Sequence, residues 1–370
     1  MKIVFILDSV DAPHILKRIN EFVECGFDVE VYGFKHFREK SLPLPFNFEI
    51  NVIGEINQAN YLFRIRSIVK GLKKVISTLK GQHVLYYLVS LDVAMFFRMM
   101  CHDDYVYEES DLKHTYVNNK LIQHILERID KKIIRNSVVT AFTSEGFVQY
   151  HFGDTPPKNI CYVFNKLNKS ILDFQIPENR VPCVARLKFA FVGKAQFKST
   201  YAFAKHIVQH YKNHEMHFYG TTDTRDDATV FELKQYNNCF FHGRFNNPQD
   251  LPSIYKDVDI VVALYDIKSV NVLYAEPNKL YEAIYYRKPI IVSTGTFLAQ
   301  KVNRLGIGFD IDALSPHSID TFMNSLTLEL IEKKKHCAEG ISRSEAINDN
   351  SNLISTVKKY TESHEHIYNS

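Results

Sequence analysis

The chain has 370 residues, 45% of them apolar, with 21 tyrosines, 27 phenylalanines and no tryptophan. That composition excludes a disordered chain, and the length exceeds one ordinary core, so two domains are expected. The formal net charge of +3 does not point to nucleic acid, and no nucleic-acid-binding module pattern accompanies it.

Met1 leads directly into KIVFILDSV, an apolar run too short for a signal-peptide core or a spanning helix. It reads as a buried first strand. No later stretch reaches bilayer length, so a cytoplasmic protein is expected. PHILKRINEFVECG predicts a helix ending at Gly26, and FDVEVYGF the next strand. Residues 61–80, YLFRIRSIVKGLKKVISTLK, carry Arg64, Arg66, Lys70, Lys73, Lys74 and Lys80 and no acid. Leu62, Ile65, Val69, Leu72 and Ile76 recur at helical spacing. Such a basic amphipathic helix either lies against an anionic membrane surface or presents a solvated basic face.

HVLYYLVS and DYVYEES predict further strands. A long helix follows in NNKLIQHILERIDKKIIRNS, with Leu121, Ile125, Ile129 and Ile133 as its apolar stripe, and SVVTAFTS returns to strand. Pro177 and Pro182 then flank a polar stretch. A second alternating series runs through LKFAFVG, TYAFAKHIVQHY, EMHFYG, CFFHG, DIVVALYD and KPIIVS, and a last helix is expected near SNLISTVKKY. The alternation implies an α/β fold with parallel sheets covered by helices on both faces. Its doubling implies two Rossmann-like domains facing across a cleft. The divisions are 1–165; 166–186, a linker; 187–345; and 346–370, a helix and tail packing back on the first domain.

In such sheets ligands gather beyond the carboxyl ends of the strands. The loop after the first strand, DSVDAPH, contains no glycine, so a dinucleotide fingerprint is absent there. In FAFVGKAQFKS, Gly193 ends a strand and Lys194 and Lys198 stand before a helix. Two ammonium groups beside the N–H groups of a helix start make a diphosphate cradle; lysines there are otherwise simply solvated. In NVLYAEPNKLYEAIYYRKPIIVSTGT, Asn278 after Pro277 reads as a helix cap. Lys279 falls in the first turn, where a cation is disfavoured unless an anion is near. Glu282 follows on the same helix, and Gly295 and Thr296 follow the next strand. The six cysteines, Cys25, Cys101, Cys161, Cys183, Cys239 and Cys337, contain no CxxC pair. They read as reduced thiols, with no disulfide framework and no zinc site.

Here the sequence resembles the glycosyltransferase group 1 family, family 4-like and retaining, with the GT-B fold. The specific match is PNKLYEAIYYRKPIIVS, which resembles that family's donor-binding helix and following strand. VGKAQFKS resembles its diphosphate loop, and FHGRFNNPQDLPSIYKDVDIVVALYD the segment between. The first half is similar in order and character, through PHILKRINEFVECGFDVEVYG, YVYEESDL and VVTAFTS.

The resemblance implies that Lys194, where the family usually has arginine, and Lys198 hold the donor diphosphate beside Gly193. It implies that Glu282 grips the donor ribose, with Asn278, Lys279 and Leu280 around it and Arg244 nearby. Lys194, Lys198 and Glu282 are then the catalytic set, the lysines stabilising charge that grows on the leaving diphosphate. The family spaces two glutamates eight apart; here Glu276 and Glu282 are six apart, and Tyr274 occupies the eighth position. The contact to the transferred sugar therefore differs. On the acceptor side His14, Arg18, Glu108, Glu109 and Asp111 are candidates, against structural roles for His14 and Arg18 and helix capping or a solvated turn for the acids. Asp92 and His242 are weaker candidates.

The implied activity is a retaining, hexosyltransferase-like transfer from a nucleoside-diphosphate-sugar to a glycan or lipid-linked glycan, in bacterial surface polysaccharide synthesis. No cofactor is expected, since the nucleotide-sugar is a substrate and the basic groups replace a metal. The rivals are an inverting GT-B transferase, a sugar-nucleotide epimerase and a non-catalytic scaffold.

Overall fold

The computed structural model describes residues 1–36, 47–56, 61–223 and 227–368. They form two compact units, Met1–Phe164 with Asp349–Ser370, and Asn165–Asn348.

The first unit runs β1 (Lys2–Leu7), α1 (Pro13–Glu24), β2 (Val29–His36), β3 (Ile50–Ile56), α2 (Tyr61–Thr78), β4 (Val84–Val89), α3 (Leu91–Met100), β5 (Tyr105–Glu109), α4 (Lys120–Asn136), β6 (Val139–Phe142), α5 (Glu145–Phe152) and β7 (Ile160–Tyr162). Its sheet has the order β3-β2-β1-β4-β5-β6-β7. Every pairing is parallel, with Ile3 opposite Val29 on one side of β1 and opposite Leu85 on the other. A parallel sheet is buried on both faces, which is why KIVFIL and VLYYLV read as continuous apolar runs. One core joins Phe5, Phe22 and Tyr87 to α1 and to the last helix. The Phe5 and Tyr87 rings stack at 4.5 Å, a contact worth about 0.5–1.5 kcal/mol beyond area burial.

The second unit runs β8 (Lys188–Val192), α6 (Lys198–His210), β9 (Glu215–Tyr219), α7 (Asp227–Leu233), β10 (Cys239–Gly243), α8 (Leu251–Asp257), β11 (Ile260–Ala263), α9 (Val270–Tyr274), α10 (Asn278–Tyr286), β12 (Ile290–Ser293), α11 (Phe297–Leu305), β13 (Gly308–Ile311), α12 (Pro316–Ser325) and α13 (Leu328–Glu339). Its sheet has the order β10-β9-β8-β11-β12-β13, again parallel throughout. Residues 166–186 lie on this unit. Leu167 bridges to Ile347, Ile171 is buried, and Asn179 donates to the Tyr286 carbonyl at 2.9 Å. The closing helix α14 (Ser351–Tyr368) belongs to the first unit, where Leu353 and Val357 are buried.

Two expected helical stripes are displaced. In α2 the buried row is Ile68, Leu72 and Val75, continued by Leu79 just past its end, whereas Leu62 is 69% exposed. In α4 Ile133 and Ile134 are buried, but Leu121 is 70% exposed and Ile125 is exposed too. Both helices start at the carboxyl-end edge of the sheet and reach the core only further along. The sequence does not announce β3, α3, β7 or β13. The residues of β3 are mostly half-buried or exposed, and β7 and β13 are three and four residues long, below the length at which periodicity speaks.

Candidate functional site

In each sheet the chain reverses its direction of growth once, between β1 and β4 and between β8 and β11. At such a switch point neighbouring loops diverge and leave a crevice.

In the second unit β8, at this point, and its neighbour β9 are each followed by a glycine. Gly193 has φ +131 and its N–H donates to the Tyr219 carbonyl at 2.7 Å. Gly220 has φ +122, and a Cβ there would stand 2.1 Å from the Gly193 oxygen, so no larger residue fits. A Cβ on Gly193 would come within 3.0 Å of the Lys279 Nζ. The ammonium therefore lies against bare backbone at the carboxyl end of β8. Lys279 is 5% exposed, with its Nζ 4.3 Å from the Phe191 ring centroid and 5.8 Å from that of Tyr265. Burial lowers its pKa to about 8, against the opposing charge of Glu282.

Lys194 is exposed on the loop between β8 and α6, and Lys198 is exposed as the first residue of α6. The helix start beside them is already occupied, contrary to the expected N–H cradle. The backbone N–H groups of Lys198 and Ser199 donate to the Asp266 carboxylate at 3.1 and 2.8 Å, and the Ser199 hydroxyl adds a bond of 2.9 Å. An internal anion at a helix N-terminus satisfies both its orphan donors and its dipole. The sequence reading misses Asp266, although an acid following a buried strand in VVALYD is the signal for it.

Glu282 is 2% exposed; its carboxylate accepts from Tyr255 at 2.5 Å and from the Asn278 side chain at 2.9 Å. Pro277, not Asn278, is the N-cap of α10, and exposed Asn278 spends its amide on Glu282 instead. Leu280 is wholly buried, and Glu276 is tied to Tyr281 at 2.9 Å and Lys301 at 2.6 Å. Tyr274 ends α9, half-buried. Thr296 caps α11, accepting from the Ala299 N–H at 3.0 Å. Arg244 is exposed just past β10, an edge strand, and the His242 ring stacks on Tyr219 at 4.1 Å.

In the first unit β5 explains the acidic pair. Successive strand side chains point to opposite faces. Glu108 meets α1, where it pairs with Arg18 and accepts from the Tyr87 hydroxyl at 2.5 Å; Arg18 also donates to the Val163 carbonyl at 3.2 Å. Glu109 meets α5 on the other face, accepting from His151 at 2.9 Å. Burial and the nearby Asp130 carboxylate raise the Glu109 pKa to about 7. Arg18, Glu108 and Glu109 are thus internal, because their face alternation directs them under the helices. His14 is exposed in the first turn of α1, and Asp111 is half-exposed. Lys113, another residue the sequence did not single out, sits 3.5 Å from Asp8 and 3.8 Å from Asp111. Asp92 is paired with Arg64 of α2. Beside β1, Ser90 holds φ 78 and ψ 145, a conformation favouring glycine, and its buried hydroxyl has no hydrogen-bond partner.

One group of metal-ligating side chains stands out among the described residues: Glu109, His114, Asp130 and His151, all buried, with ligating atoms within 4.8 Å of one another. None of the cysteines contributes.

No protein-family model matches the chain, and no curated protein does. Solved structures do. Sucrose-phosphate synthase from Thermosynechococcus elongatus is 12% identical with a TM-score of 0.67, covering 100% of both chains. The Anabaena protein HepE, solved with UDP and glucose, is 12% identical with a TM-score of 0.65, covering 99% of both. A Listeria monocytogenes protein assigned as a UDP-N-acetylglucosamine 2-epimerase is 10% identical with a TM-score of 0.58, covering 98% of both. These likenesses show the fold: two Rossmann-like units of the GT-B class.

Proposed function

We propose that this chain is a glycosyltransferase, family 4-like and retaining, that takes a hexose from a nucleoside-diphosphate-sugar held on the second unit. Lys279 carries the reading. A desolvated ammonium that faces aromatic rings and a glycine backbone, at a switch point, is complementary to a diphosphate. Exposed Lys194 and Lys198 extend the positive charge along the same loop, and Arg244 adds to it from the end of β10. Glu282, behind Asn278, is the carboxylate a ribose diol would share.

The bond broken joins the anomeric carbon to the diphosphate oxygen, through an oxocarbenium-like state. The lysines stabilise the charge left on the diphosphate, and that diphosphate takes the acceptor proton if the configuration is retained. This chemistry draws its positive charge from side chains and calls on no cofactor. His14, Asp111 and the Asp8–Lys113 pair, at the carboxyl end of the first sheet, are the groups we assign to acceptor hydroxyls.

A lipid-linked glycan suits the exposed apolar side chains at the starts of two helices, Leu62 and Phe63 on α2 and Leu121, Ile122 and Ile125 on α4. On α2 they run into exposed Arg66, Lys70, Lys73 and Lys74, which fits peripheral attachment to an anionic, cytoplasmic membrane face. Among the described residues no helix is long and apolar enough to cross a membrane. Synthesis of a bacterial surface polysaccharide is the setting we infer.

The test is calorimetry with UDP, GDP, ADP and CMP and their sugar conjugates. One diphosphate should bind, and Lys279→Met should weaken it about 100-fold, the worth of a charge-assisted hydrogen bond in a dry site. Equal binding by the variant would remove the proposed site. Vesicle sedimentation with anionic against neutral lipid tests the α2 surface. The fold's likeness to the Listeria protein keeps an epimerase as the second reading. Release of a 2-epimeric sugar from UDP-N-acetylglucosamine without any acceptor would establish it.

A further inference from the structure

The first unit contains a second constellation, on the face of β5 away from Glu108. Four elements each deliver one ligating residue: Glu109 from β5, His114 from the 3-10 turn Lys113–Tyr116, Asp130 from α4 and His151 from α5. All four are at most 5% exposed. They form two close pairs, His114 Nδ1 with Asp130 Oδ2 at 3.1 Å and His151 Nε2 with Glu109 Oε1 at 2.9 Å. Metal–ligand bonds of ~2.0–2.1 Å in a tetrahedral site set ligand atoms about 3.4 Å apart, so each pair already spans close to one edge of such a polyhedron. With one ligating atom from each residue, the four lie within 4.8 Å of one another, and a modest contraction closes the remaining edges.

A second observation is independent of that spacing. Glu109 Oε2 is buried without a hydrogen-bond partner. Buried polar atoms are rarely orphaned, and an unseen ion is one of the few causes. The surroundings also hold ligands in place from behind: the Tyr107 hydroxyl donates to Asp130 Oδ1 at 3.0 Å, and the Tyr150 hydroxyl lies 3.4 Å from His114 Nε2. Such outer contacts fix the orientation of metal-binding side chains.

We infer that Glu109, His114, Asp130 and His151 bind a divalent transition-metal ion, of the zinc class, in a closed structural site. Two neutral imidazoles and two carboxylates match the chemistry of that class and neutralise its charge. With all four positions supplied by protein, the ion takes no substrate. It ties α4, α5 and the 3-10 turn to the end of β5. This inference stands apart from the donor site on the second unit.

Full-length protein is stripped with chelator and dialysed with zinc, manganese or cobalt, then dialysed against metal-free buffer and analysed for metal. About one retained equivalent is expected, with visible absorption of four-coordinate form for cobalt. The melting temperature should rise by roughly 5–10 °C at a hundredfold excess over Kd. His114→Gln with His151→Gln should abolish retention, while His336→Gln, at an exposed histidine, leaves it intact. X-ray absorption of the wild type should count two imidazole ligands, which decides the matter even where the double variant does not fold. Absence of retained metal together with a melting temperature indifferent to all three ions overturns the inference. So does equal retention by a folded double variant, which would place the ion on surface histidines.

Discussion

The two switch points share one topology and use their charges in opposite ways. In the first unit nearly every charge beside it is consumed internally. Arg18 is bound to Glu108, Glu109 to His151, and Lys113 lies between Asp8 and Asp111. In the second unit Asp266, an acid at the loop, caps α6, while the lysines carry no such cap. Lys194 and Lys198 are exposed, and Lys279 rests on aromatic faces. The difference teaches that fold places a crevice but side-chain pairing decides what it attracts. A surplus of ammonium groups suits a dianionic diphosphate, and balanced pairs suit neutral hydroxyls.

The largest expected effect tests whether the first unit's charges are truly spent. Arg18→Ala strands Glu108 in the core and should cost about 3–5 kcal/mol of stability by denaturant titration. Arg18→Met with Glu108→Leu should recover much of that. An Arg18→Ala protein of unchanged stability but abolished activity would move Arg18 to the acceptor site and dissolve the contrast.

The next effect is a pH dependence centred on Lys279 of the second unit. Burial lowers the Lys279 pKa from 10.5 to about 8, so the folded state disfavours the charged form. Its penalty is fully present below pH 8 and fades as pH rises from 8 towards 10.5. Stability should therefore gain up to about 1.4 kcal/mol per pH unit in that window. Diphosphate binding runs the other way, because the anion favours the ammonium: affinity should fall by up to about tenfold per unit above about pH 8. Calorimetry between about pH 7 and 9.5 checks both signs; Lys279→Met should flatten the binding profile but remove only part of the stability gain, because burial also lowers the Lys288 pKa to about 8.

The smallest effect concerns the backbone beside β1. Ser90 sits at φ 78, where such strain costs about 1–3 kcal/mol. Ser90→Gly relieves it at some cost in unfolded-state entropy, for a net gain of about 1 kcal/mol in thermal unfolding. A loss of stability instead would mean that the hydroxyl matters more than the strain.

Most of the architecture was legible because parallel strands leave long apolar words such as KIVFIL, separated by helix-length polar stretches. What misled was local. The stripes of α2 and α4 look continuous in sequence, but these helices meet the core only along their later turns, and periodicity does not say where packing begins. The donor helix was legible as a motif around PNKLYE, yet which residue does what was not. Asn278 has the look of a cap and is a partner of Glu282, and Lys279 looks misplaced by dipole logic and is the desolvated cation. The inward turn of Glu108 and Glu109 follows from strand alternation and was available in principle. The meeting of Glu109, His114, Asp130 and His151 was not, because their spacing in sequence follows no ligand pattern and only the sheet brings them together.

The return of α14 to the first unit has a consequence for how the molecule is made. Leu353 and Val357 are core residues of a unit that otherwise ends at Phe164. A ribosome delivers the chain from its amino terminus, so this unit waits with an unfinished core while the whole second unit is synthesised. At cellular rates the wait is roughly 10–40 s. The second unit, contiguous in sequence, can close first and independently, so the half that emerges earliest is the last to be sealed and the one more dependent on chaperones.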